Sequence, residues 1–195
     1  MFQAMSRRVG AAALVLVSLH SVAFAHVGFH PQGIGDGIAH PLSGLDHVLA
    51  MVAVGLWASQ LGRPACWLLP LAFPGVMALG AALGFAGWAL PWTEIGIAVS
   101  VLVLGLAIAF ARRPSLAVSL TLIAMFALVH GYAHGTELPA SASPLAYGFG
   151  FVAATLALHA VGLALGGLCV WAAGRVVMRG AGTAIAVAGI ALLAT

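Results

Sequence analysis

Residues 40–58, HPLSGLDHVLAMVAVGLWA, put two histidines and an aspartate at the mouth of a run that holds no other ionisable group. From Val48 to Ala58 every residue is apolar or glycine, the composition of a membrane helix. His40, Asp46 and His47 stand where such a helix would begin, in the part of a membrane protein where charge is costly unless it has work to do.

The rest of the chain has the same character. It is 63% hydrophobic and 6% charged, with a mean hydropathy of +1.15, well outside the range of soluble domains. All seven basic residues are arginine, and eight histidines face only four acids. The sequence pI of about 9.5 does not mark a nucleic-acid binder. The arginines sit singly or in pairs between apolar runs and form no basic face interleaved with aromatics. Cys66 and Cys169 lie within apolar runs and no CxxC occurs, which argues against a disulfide scaffold or a thiolate metal site.

Residues 1–25 read as a secretory signal, with Arg7 and Arg8 ahead of an apolar VGAAALVLV and an A-x-A cleavage site at Ala23-Phe24-Ala25. The mature chain, 26–195, then begins at His26. Six apolar stretches follow a glycine-rich segment, at about 42–60, 66–88, 94–111, 115–134, 145–172 and 177–194. Each is close to the ~20 residues that cross ~30 Å of hydrocarbon at ~1.5 Å per residue. The breaks carry turn or charge signals: QLGRP, LPWTE, ARRPS, GTELPASASP and GRVVMRG. The expected fold is therefore all-α: a polytopic membrane protein with six transmembrane helices after a cleaved signal peptide.

A secreted N-terminus puts the loops near 63, 112–113 and 175–179 on the inner side of the membrane. Those loops hold Arg63, Arg112, Arg113, Arg175 and Arg179, every arginine of the mature chain, as the positive-inside rule requires. The other ionisable groups gather on the outer, periplasmic side. His26, His30, Asp36 and His40 precede helix 1, and Asp46 and His47 lie in its first turns. Glu94 opens helix 3, and His130, His134 and Glu137 close helix 4. His159 alone falls near the middle of a helix.

Spacing decides which of these can meet. His130, His134 and Glu137 stand at i, i+4 and i+7, one stripe of a helix that persists through Gly135. Pro41 biases His40 away from helical geometry, which places it in the chain leading into helix 1. Ser43 and Asp46 have the spacing of a capping pair. A single histidine in a membrane helix, such as His159, is more often a hydrogen-bonded packing residue than a ligand. Two imidazoles and a carboxylate on one stripe are too costly beside lipid and belong in a cavity. Imidazole with carboxylate, and no thiolate, suits Ni, Co, Zn or Cu(II) and suits Mg or Ca poorly. An N-terminal His26 adds an α-amine and its own imidazole as a chelating pair.

HPLSGLDHVLAMVAVG together with HGYAHGTELP resembles the HupE/UreJ family of bacterial membrane proteins over the whole mature chain. One family motif, H-P-x-x-G-x-D-H, matches at His40, Pro41, Gly44, Asp46 and His47. A second matches at His130, Gly131, His134, Gly135 and Glu137, and Phe73 and Glu94 also fit. The resemblance implies secondary permeation of nickel, or in some members cobalt, and a functional link to hydrogenase or urease systems.

On this reading the chain is a permease rather than an enzyme, with no prosthetic group, no nucleic-acid partner and the bilayer as its environment. The metal set is expected to be His40, Asp46, His47, His130, His134, Glu137, Glu94, His26 and His159, with transported Ni2+ or Co2+ as cargo. Two other classes remain open. An intramembrane metalloenzyme would need more histidine clusters than one HxxxH, and a metal-delivering accessory protein would bind without transporting. No Walker motif and no G-x-S-x-G occurs.

Overall fold

The computed structural model describes residues 33–138, 142–168 and 171–195, and these form seven helices with no strand among them. The signal peptide, His26, His30 and Cys169 fall outside the described residues. In chain order the helices are α1 (Ile34–Ser43), α2 (Leu45–Leu61), α3 (Ala65–Phe85), α4 (Thr93–Ala109), α5 (Leu116–Thr136), α6 (Pro144–Leu168) and α7 (Ala172–Leu193). Four of them, α3, α5, α6 and α7, are long and apolar enough to cross a membrane, and α1 with α2 makes a fifth if that bent pair is one span. The remaining stretch, α4, is apolar but 17 residues long, about 25 Å of helix.

The distribution of side chains is that of a chain dissolved in lipid. Leu71, Leu79, Phe85, Leu145 and Phe149 face outward, while His47, Ser100, His130, Thr155 and His159 are buried. Four of the five tryptophans, Trp67, Trp88, Trp92 and Trp171, are exposed at helix ends, where an amphipathic ring finds the boundary between lipid and water. The fifth, Trp57, is buried and donates its indole N–H to the Arg112 carbonyl at 3.1 Å. Gln60 and Arg179 donate to the Ile108 and Ala109 carbonyls. Side chains from α2 and α7 thus bond carbonyls at and just past the end of α4.

Three expectations are corrected. The first concerns helix 1, expected at 42–60, which is two helices meeting at Gly44 with a bend of 88°. His40 is helical, in the last turn of α1, despite the proline that follows it. The preference against helix before proline is small, and packing overrides it: Pro41 and Gly37 are buried, and a Cβ at Gly37 would run into the Tyr147 carbonyl of α6. The second concerns Ser43, which caps nothing on α2. Its hydroxyl donates to the His40 carbonyl at 2.6 Å, and Gly44 is the N-cap, without a side-chain hydrogen bond. The third concerns GRVVMRG, which is not a break but lies within α7.

Gly162 and Gly166, spaced for close helix contact, both face α2. A Cβ at Gly162 would run into the Val52 carbonyl, and one at Gly166 into the Ser59 side chain. This contact brings the α6 backbone directly against α2.

Candidate metal centre

α5 carries His130 and His134 one turn apart, with Glu137 at its C-cap. Glycine fixes where this stripe sits. A Cβ at Gly131 would run into the Met77 carbonyl of α3, and one at Gly135 into the Ala81 carbonyl. The glycine beside each histidine therefore lets α5 lie backbone to backbone on α3, while the imidazoles reach the other way, to α1 and α2. The bend at Gly44 brings His40, from the end of α1, and His47, from the start of α2, over that stripe.

The contacts run in sequence. His40 Nε2 lies 3.1 Å from both Glu137 Oε2 and His134 Nδ1. The other nitrogen of His134, Nε2, lies 3.1 Å from His47 Nδ1. Two ligand groups result, His40–His134–Glu137 and His47–His130–His134, and within each the donor atoms lie within 4.8 Å of one another. His134 belongs to both. Side-chain exposure falls from 50% at Glu137 through 34% at His40 to 14% at His134, and His47 and His130 are 3% and 1% exposed. The series therefore leads from the surface inward.

Hydrogen bonds set the electronic state of two members. With the Ser100 hydroxyl donating to the Ile97 carbonyl at 2.7 Å, its oxygen accepts His130 Nε2–H across 2.9 Å. The lone pair of His130 is thereby left on Nδ1, which has no partner in the protein. An outer group that orients an imidazole in this way raises its worth as a ligand. Glu137 receives hydrogen bonds from His134 and from His40, and these hold its carboxyl down at about 2, so it is an anion at any physiological pH. Phe151 of α6 packs its ring against His40, His47 and His134. A mostly apolar groove of about 590 Å³ opens beside them, lined by Met77, Phe85, Leu138 and Tyr147, with His134 in its wall.

Other expected ligands stand apart from both groups. Asp46 and Glu94 line a separate recess of about 320 Å³, with Ile97, Leu192 and Thr195. His159 is buried on α6 and bonds the Pro70 carbonyl through Nδ1 at 3.2 Å. Ser100, Phe151 and Tyr147 escaped sequence reasoning, because a serine or an aromatic in an apolar run carries no signal of what it faces. Four imidazoles and one carboxylate form the donor set of a borderline divalent metal.

The profile of the HupE / UreJ protein family matches residues 14–192. The chain belongs to the HupE/UreJ family. Protein HupE of Rhizobium leguminosarum bv. viciae is 49% identical to it over 180 residues, 92% of this chain and 94% of that protein. No solved structure matches. Membership places the chain among transport and accessory proteins rather than enzymes. In this HupE/UreJ chain the two histidine motifs, more than eighty residues apart in sequence, form one continuous cluster.

Proposed function

We propose that the protein is a six-span inner-membrane permease, freed of its signal peptide, that carries nickel, or cobalt, from the periplasm into the cytoplasm. The observation that carries this reading is the pair of ligand groups joined through His134 and graded from exposed to buried. A storage site needs one good set of ligands. Two overlapping sets at increasing depth let an ion exchange water and carboxylate for imidazole in steps. The arginines support the inward direction. Arg63, Arg112 and Arg113 lie between helices and Arg175 and Arg179 in the first two turns of α7. The histidines of α2 and α5 stand at the helix ends away from Arg63, Arg112 and Arg113. The resemblance to HupE/UreJ proteins supports nickel or cobalt as cargo and a downstream link to hydrogenase or urease maturation.

Energy is available without a nucleotide. A divalent cation gains about 4.6 kcal/mol per 100 mV of inside-negative potential, enough for accumulation on the order of a thousandfold. The deciding experiment is uptake of labelled nickel into proteoliposomes containing only this protein, at a clamped potential. Accumulation above the level of empty vesicles supports transport, and binding without accumulation supports the accessory-protein reading instead.

Asp46 and Glu94 serve this reading as a source of attraction near the mouth. Asp46→Asn keeps the side-chain shape and removes the charge. It is expected to lower the initial uptake rate on the order of tenfold while leaving equilibrium binding at the histidine cluster unchanged. Unaltered uptake would remove Asp46 from the path.

External acid should slow uptake. A metal competes with protons for the imidazole lone pair, and an unperturbed imidazole titrates at about 6.5. Glu137 stays ionised throughout, so as external pH falls from about 7.5 to 5.5 the metal meets rising proton competition at the imidazole ligands. Initial rates measured at fixed potential and buffered free nickel should fall across that range. Rates that climb toward pH 5.5 would show proton-coupled symport in place of potential-driven uptake.

A further inference from the structure

His159 lies deeper along α6 than the cluster. Tyr147, Phe151, Thr155 and His159 recur every four residues and make one buried stripe. The eight residues from Phe151 to His159 correspond to about 12 Å of helix. Phe73 of α3, fully buried, sets its ring edge-on to both His130 and His159, with centroids 5.8 and 5.4 Å away. One aromatic side chain thus lies against both the cluster and His159.

The partner of His159 has an origin in the sequence. In a helix the Pro70 carbonyl would accept from the N–H of residue 74, but residue 74 is proline and has none. His159 Nδ1 lies 3.2 Å from that carbonyl. A carbonyl only accepts, so Nδ1 carries the proton and the lone pair sits on Nε2. That nitrogen is buried and without a partner, as is the hydroxyl of Thr155 one turn nearer the cluster. An imidazole that gives Nδ1–H to a backbone carbonyl and keeps Nε2 free is in the state that binds a metal. A histidine needed only to mend the helix would have no reason to bury a second, unpaired nitrogen.

We propose that His159 Nε2 is an inner station for the transported divalent metal, beyond Phe73, and that Pro74 is its positioning residue. Pro74 leaves the Pro70 carbonyl open, and that carbonyl fixes the tautomer and the ring. Thr155 offers its hydroxyl to water retained by the ion. This rests on the proposed function for the route of the ion, but not for the existence of the site.

The test is equilibrium dialysis of the purified full-length protein against Ni2+ at fixed pH. The native chain is expected to hold two ions, one in the cluster and one at His159. His159→Asn keeps an N–H donor near the position of Nδ1 and lacks Nε2, so it should fold normally and lose one ion. Two ions in His159→Asn, or a single ion in the native chain that His159→Asn retains, would overturn the inner station. His134→Ala should lose the other ion. If it does not, the cluster reading fails while the inner station stands. Pro74→Ala restores the N–H and competes for the Pro70 carbonyl, so the inner ion should bind about tenfold more weakly with the cluster ion unaffected. Unchanged affinity at the inner site would overturn the role of Pro74.

Discussion

His134→Ala is expected to abolish nickel uptake and to weaken binding at the cluster about 100-fold or more, the largest effect of any single ligand change. Each neighbour serves one group only: His40 and Glu137 the outer, His47 and His130 the inner. Losing His40 or His130 leaves one group intact, whereas losing His134 reduces both to two donors. The side chain is mostly buried, against Phe151 and the other imidazoles, and borders the groove, so truncation removes little packing and should not unfold the chain. The measurements are nickel uptake in proteoliposomes and monodispersity of the purified variant. Native-like uptake by a well-folded His134→Ala would take the cluster out of the path.

The second large effect concerns glycine rather than a ligand. Gly131→Ala should destabilise the protein and disturb binding, although alanine favours a helix by about 1 kcal/mol. The added methyl meets the Met77 carbonyl, and its next nearest atoms are also Met77 backbone, which cannot swing aside. Overpacking of this kind costs about 1–3 kcal/mol, enough to outweigh the propensity gain, and it would push the His130–His134 stripe off its position. Gly148→Ala is the control, because nothing lies within 4 Å of a Cβ there. A thermal melt should fall for Gly131→Ala and hold or rise for Gly148→Ala. Equal melts would mean that α3 and α5 do not lie as close as described.

The all-helical character and five of the helices, α3 to α7, were legible from apolar run length, with ends displaced by a few residues. The stripe His130–His134–Glu137 followed from spacing alone. What composition could not supply was the pairing of distant segments. α1 hides in a glycine-rich stretch that propensity argues against, and it is helical because Gly37 lets it pack on α6. His40 therefore reaches the cluster from a helix end rather than from a flexible lead-in. The gathering of His40 and His47 onto α5 depends on the bend at Gly44, and an 88° turn between two helices leaves no mark in hydropathy. The state of His159 was partly legible. Two prolines four apart announce a carbonyl without a donor, but the sequence does not say which side chain answers it.

A neutral imidazole has one lone pair, and His134 shows a nitrogen to each group: Nδ1 to His40 and Glu137, Nε2 to His47. It can bind through only one of them at a time unless it gives up its second proton. On the proposed permease reading the two groups would then be one seat with two positions, and the cluster would hold a single ion. An ion passing from the carboxylate side to the buried side would require the ring to exchange its tautomer, losing the Nε2 proton and gaining one at Nδ1. Glu137, anionic and 3.4 Å from Nδ1, favours a proton on that nitrogen once the metal has gone. A carboxylate placed to receive the ion first would therefore also favour its departure inward.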